Sequence, residues 1–307
     1  MERTLVLMDH DGGVDDYLAA ILLMTMDHVD VLGVVVTPAD CYIRPAVSAT
    51  RKILDLVGRH DVPVAESTVR GLNPFPPTFR RDAFCVDNLP LLNERDEILA
   101  RRVPEAGQAF MASALRAAPE PVTLLVTGPL TTVAAALDID PRVEGKIREI
   151  LWMGGALHVR GNVERSIESG QDGSAEWNVY WDPIAADRIW QTAIPITLCP
   201  LDITNLVPIT QAFLRRLCRQ RRHPLSDLAG TCYALVAHHD YFAWDVLTTS
   251  YLGRPEMFTL RAWETEIVIE GPSQGRTRVV PGGRPIQALD QVDLDQLYTY
   301  LLAQWAR

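Results

Sequence analysis

Short β-branched apolar runs alternate with helix-like stretches through the first two thirds of the sequence, and this alternation limits the folds open to the chain. The runs lie at 4–8 (TLVLM), 31–36 (VLGVVV), 62–65 (VPVA), 122–126 (VTLLV), 150–153 (ILWM) and 194–198 (IPITL). Between them, residues 17–26, 45–57, 105–117, 131–137 and 182–190 repeat apolar side chains at helical spacing. A β-then-α rhythm of this kind predicts an α/β fold with a mostly parallel central sheet flanked by helices, an open Rossmann-like core. In the last third, 208–237 and 243–252 read as helices, 258–280 as short antiparallel strands, and 293–305 as a closing helix. The 19 Gly and 21 Pro are scattered and mark no linker, so residues 1–307 are expected to form one domain.

Ligands of open parallel sheets lie beyond the carboxyl ends of the strands. That puts weight on MDHDGGVDD at 8–16, which directly follows the first run. Asp9, Asp11, Asp15 and Asp16 crowd the point where a buried strand turns into a helix. Like charges so close are costly unless something positive offsets them. A helix N-terminus offers part of that offset, and a bound cation offers more. An acidic helix cap accounts for Asp15 and Asp16 but not for Asp9 and Asp11. With oxygen donors and no nearby Cys or His cluster, the segment suits Ca²⁺ or Mg²⁺ rather than Zn²⁺.

The net charge of −10 argues against a nucleic-acid-binding role. The arginines of RRLCRQRR at 215–222 fall on several faces of a helix and read as a solvated end. Five cysteines without paired spacing point to reduced thiols in the cytoplasm. No apolar run reaches membrane-spanning length, and the first run is too short for a signal-peptide core.

A strand followed by D-x-D-G also resembles the haloacid dehalogenase-like phosphatases. That family expects Thr or Val where this chain has Gly13, and it leaves the pair Asp15–Asp16 without a role. A closer resemblance is to the inosine-uridine preferring nucleoside hydrolases. It rests on the acidic segment together with GVVVTPADC at 33–41, TGPL at 127–130, MGG at 153–155, GNV at 161–163, EWN at 176–178 and YFAWDVLTTSYL at 241–252, all in the family's order.

The resemblance implies hydrolysis of the N-glycosidic bond of ribonucleosides by a homodimer or homotetramer. It implies a Ca²⁺ held by Asp11, Asp16, the backbone carbonyl of Thr127 and Asp245. Asp15, Asp40, Asn162, Glu176 and Asn178 are then expected on the ribose hydroxyls, with Met153 along the sugar's path. Asp11 is the expected general base, acting on a water that the metal makes easier to deprotonate. Taken singly, Asn162 reads as a turn residue, Asp245 as an exposed helix residue and Met153 as core.

Relatives in this family commonly place a histidine before the last metal carboxylate and another after the third strand. Here those places hold Trp244 and LNPFPPTFRRDAF at 72–84. This resembles the purine-specific branch, in which aromatic rings sandwich the base. Phe79 and Trp244 are expected to stack on a purine, with Trp177 and Tyr241 close by. Stacking favours a cationic base and so aids its departure. His238 and His239 are alternative proton donors. Other readings are a pyrimidine-preferring or nonspecific hydrolase, and a nucleoside-binding protein without activity. The last should have lost Asp11 or a metal carboxylate, and none is lost.

Overall fold

Each of the six apolar runs lies in or overlaps a strand of one sheet. The computed structural model describes residues 3–164 and 166–307. Its strands are β1 (Thr4–His10), β2 (Val29–Val36), β3 (Val64–Glu66), β4 (Arg102–Ala106), β5 (Val122–Val126), β6 (Ile147–Met153), β7 (Ile196–Cys199), β8 (Phe258–Ile267), β9 (Thr277–Val279) and β10 (Arg284–Val292). They form a ten-stranded sheet in the order β4-β3-β2-β1-β5-β6-β7-β10-β8-β9. Pairing is parallel from β4 to β10 and antiparallel at β10–β8 and β8–β9.

Alternation along the central strands separates two apolar layers. Val6, Met8, Val34 and Val36 pack on one face with the helices Val14–Met24 and Ile43–Leu56. Leu7, Val35, Leu124 and Val126 pack on the other with Gly107–Ala117 and Thr131–Ile139. The central strands are thus covered on both sides, which explains their continuous apolar sequences. Among the described residues no helix is long and apolar enough to cross a membrane.

Three departures from expectation have local causes. Residues 208–237 form two helices, Gln211–Arg219 and Pro224–Leu235, because Pro224 cannot continue a helix from the preceding turn and instead begins the next one. The arginines of this region are exposed, as expected of a solvated end. β4 precedes its helix, which starts at Gly107 rather than at 105. β10 was not foreseen. It pairs parallel to β7 and antiparallel to β8, joining the C-terminal hairpin to the main sheet.

The chain leaves β1 for β2 on one side and later returns to place β5 on the other, so β1 is the point where strand order reverses. Asp9 pairs in register with both Val35 and Val126, so the carboxyl ends of β1, β2 and β5 are level. A crevice at such a reversal is where open α/β sheets bind ligands.

Candidate active site

The acidic segment turns at that crevice. Gly12 takes a φ of +81°, and a Cβ there would meet the Cys41 side chain at 2.7 Å. Gly128, after β5, permits an equally close approach, since a Cβ on it would lie 2.7 Å from that of Asp11. Asp11 therefore packs directly on the loop that carries Thr127. Asp16 bridges the two segments: its Oδ2 accepts from the Gly13 amide at 2.8 Å and its Oδ1 from Thr127 Oγ1 at 2.5 Å.

Above these strand ends lies a cleft with an empty volume of about 790 Å³. Its floor holds Asp11, Asp16, Thr127 and Asp245, all buried. Asp245 is thus no exposed helix residue; it lies in the first turn of the helix Trp244–Gly253 and is 7% exposed. Met153, Asn162, Glu176, Asn178 and Asp40 line the same cleft. Phe79, Trp177, Tyr241 and Trp244 complete the set of expected side chains found there.

Asp15 is the exception and does not line the cleft. Tyr233 OH donates to its Oδ1 at 3.0 Å, and the amides of Asp245 and Val246 donate to its Oδ2 at 2.7 and 3.0 Å. Both oxygens are turned toward the protein rather than toward a ligand. Asp9 is likewise buried behind the site, where it accepts from Thr37 Oγ1 at 2.7 Å.

Polar contacts fix how the remaining residues can act. Glu176 caps the helix Trp177–Trp181, accepting from the amides of Asn178, Val179 and Gly155 at 2.9, 3.2 and 2.9 Å. Asn178 spends its amide nitrogen on the carbonyls of Thr127 (2.9 Å) and Met153 (3.1 Å), which leaves its oxygen to accept from a ligand. Asn162 is the converse. Its oxygen takes the Trp177 amide at 3.1 Å, and its nitrogen is the group left to donate.

Charge dominates the floor. Burial, then Asp16, pushes the carboxyls of Asp11 and Asp245 well above the usual range, and Asp40 and Asp15 respectively add to the effect. Asp40 is raised in the same way, and its Oδ1 is buried with no hydrogen-bond partner among the described residues. Hard, buried and mutually repelling oxygens fit a divalent cation, which would compensate them. The Thr127 carbonyl already accepts from Asn178 but keeps a second lone pair. Among the described residues no three His, Cys, Asp or Glu side chains stand in ready ligating geometry. What favours a cation is charge and donor chemistry rather than a finished coordination shell.

The outer part of the cleft is aromatic. Phe79 is 37% exposed and meets Trp177 edge-on at 6.0 Å. Trp177 is itself buried and stacked on Phe75 at 5.2 Å, so it forms part of the wall. Trp244, which also lines the cleft, packs edge-on against Tyr241 at 4.6 Å. Phe75, Asp82, Val14 and Val236 also line the cleft and were not expected there. Of the two histidines, His239 lines the cleft.

Comparison with known proteins identifies the family. The family described as inosine-uridine preferring nucleoside hydrolase matches residues 6–299. A pyrimidine-specific ribonucleoside hydrolase, RihA, of Klebsiella pneumoniae is 30% identical over 97% of each chain. The solved structure of an inosine-uridine preferring nucleoside hydrolase from Bacillus anthracis is 40% identical, with 99% of each chain covered and a TM-score of 0.95. A purine-preferring ribonucleoside hydrolase from Gardnerella vaginalis shares the fold at 21% identity, covering 99% of this chain and 98% of its own with a TM-score of 0.81. A match from the first strand into the last helix leaves no room for the phosphatase reading, and the chain belongs to the inosine-uridine preferring nucleoside hydrolase family as a nucleoside N-ribohydrolase.

Proposed function

We propose that this hydrolase prefers purine nucleosides and works with a Ca²⁺ held by Asp11, Asp16, the Thr127 carbonyl and Asp245. The observation that carries the proposal is a single cleft with a carboxylate floor and an aromatic outer wall. Ribose, with its hydroxyls and developing positive charge, belongs on the floor. The flat base belongs between Phe79 and Trp244.

A cation there would offset the clustered charge and make a nearby water more acidic. Asp11 then takes the proton of the attacking water. Asp40, Glu176 and the Asn178 oxygen accept from ribose hydroxyls, the Asn162 nitrogen donates to the sugar, and Met153 bounds its path. As the bond to the base breaks, ribose gains oxocarbenium character that the surrounding carboxylates stabilise. Stacking on Trp244 and Phe79 favours the electron-poor, protonated base.

A pyrimidine preference is the second reading, favoured by the pyrimidine-specific name of the Klebsiella relative. Incubation with inosine, guanosine, uridine and a phosphate ester, with and without a chelator, separates the readings. Purine release faster than uracil release, lost on chelation, is expected. Faster uracil release moves the enzyme to the second reading. We also propose a cytoplasmic location, to which five free thiols are suited, and a homodimer or homotetramer on the family resemblance.

A further inference from the structure

The departing base needs a proton, and the two positions where family members commonly carry a histidine hold other residues here. A histidine and a further carboxylate also line the cleft. His239, from the segment between the helices Pro224–Leu235 and Trp244–Gly253, lines the cleft, as does Asp82 at the start of the short helix Asp82–Asp87. His239 is exposed and Asp82 half-buried, whereas the floor carboxylates are buried. The pair therefore sits at the base end rather than the ribose end.

A chain of contacts fixes the protonation pattern of His239. His238 Nδ1 lies 3.2 Å from the Leu235 carbonyl oxygen. A carbonyl only accepts, so this nitrogen carries the hydrogen, and neutral His238 presents a bare Nε2. That Nε2 lies 3.1 Å from His239 Nδ1. His239 Nδ1 must then be the donor, and Nε2 is left as the atom that gains and loses a proton. The His239 ring also packs edge-on against Tyr241 at 5.7 Å, and Tyr241 packs on Trp244. The proton-carrying ring thus adjoins the proposed stacking wall.

We propose that His239 is the general acid that protonates the leaving base, with His238 as the positioning residue that sets its tautomer. The proposal rests on the nucleoside-hydrolase reading above and deepens it. In the step, the bond between C1′ and the base nitrogen breaks and its electron pair goes to the base. The Nε2 proton of His239 passes to a ring nitrogen of the base. The water oxygen bonds to C1′, and its proton goes to Asp11. Solvent then reprotonates His239 and takes the proton from Asp11, so the cycle consumes one water.

The surroundings agree with this use. Burial lowers the pKa of His239 from the ordinary histidine value, while Asp82 and Asp240 act in the opposite sense. Tyr241 is half-buried and its hydroxyl pushed well upward by burial, so it stays neutral beside the ring. Because the protonated form is the active one, turnover of a base that needs the proton should fall as pH rises through the His239 pKa.

The test compares inosine with p-nitrophenyl riboside, whose leaving group needs no proton, over a pH series. His239→Gln should slow inosine by about a hundredfold, the usual scale for a lost general acid, and change the riboside little. The alkaline fall in the inosine profile should disappear. His238→Ala removes the acceptor that holds the proton on His239 Nδ1, so it should lower inosine turnover by less than His239→Gln does and leave the alkaline fall in place. Undiminished riboside cleavage also shows that the variant is folded. Equal losses on both substrates, or unchanged inosine turnover with the alkaline fall intact, would overturn the role of His239. Native protein that cleaves neither substrate contradicts the hydrolase reading itself.

Discussion

The carboxylate of Asp15 holds the backbone of Asp245, accepting its amide at 2.7 Å across 230 residues of sequence. The helix Trp244–Gly253 has no side-chain cap of its own, and Ala243 at its N-cap position offers none. Asp15 supplies that cap from the first helix, taking the Val246 amide as well. One end of the acidic segment thus sets the position of the last carboxylate on the cleft floor.

Asp15→Ala should therefore cost stability of about 1–2 kcal/mol, the usual worth of a helix cap, and lower activity by displacing Asp245. Tyr233→Phe removes one donor to the same carboxylate and should cost about 1 kcal/mol. Urea unfolding measured beside kcat/KM checks both. Unchanged stability with lost turnover in Asp15→Ala would instead put Asp15 on the ribose.

The acidic floor should make calcium a stabilising ligand. At about 100 times its Kd, calcium should raise unfolding free energy by about 2.7 kcal/mol. Asp245→Ala should weaken calcium binding in titration calorimetry, and a chelator should remove the activity of the native enzyme. Unchanged affinity in the variant would take Asp245 out of the ligand set.

Glu176 gives a pH signature in calcium-free protein. Burial pushes its carboxyl up to about 7 against the backbone amides that favour its charge. The folded value lies above the ordinary one of about 4.3. The stability it contributes is thus full below that ordinary value and lost as pH rises through about 7. Glu176→Gln does not titrate, so its cost in unfolding experiments should be larger near pH 5 than at pH 8. A cost that grows with pH would contradict the assignment.

Trp244 tests the stacking. Trp244→Ala should slow inosine more than p-nitrophenyl riboside by about 1–2 kcal/mol, or about ten- to thirtyfold. Unlike the loss of His239, this difference should not depend on pH. Equal losses would make Trp244 a packing residue.

Local pattern made much of this legible. Residues 122–126 are a strand with the bounds read from VTLLV, because a strand covered on both faces is a continuous apolar run. The carboxylates after β1 declared themselves by charge crowding. Less legible were features set by long-range packing. β4 is short, mostly exposed and contains Pro104, so its sequence resembles a loop. Asp15 and Asp16 are chemically identical neighbours, and only the arrival of Tyr233 and the Asp245 amide decides which one faces away from the cleft. Phe75 and Asp82 reach the cleft through a segment with little periodicity, where spacing carries no direction.

The most direct measurement is turnover of inosine by Asp11→Ala with calcium content determined in the same sample. If Asp11 takes the proton of the attacking water, kcat should fall by about a hundredfold or more in protein that still holds calcium. Near-native turnover by the calcium-loaded variant would contradict the account at its centre.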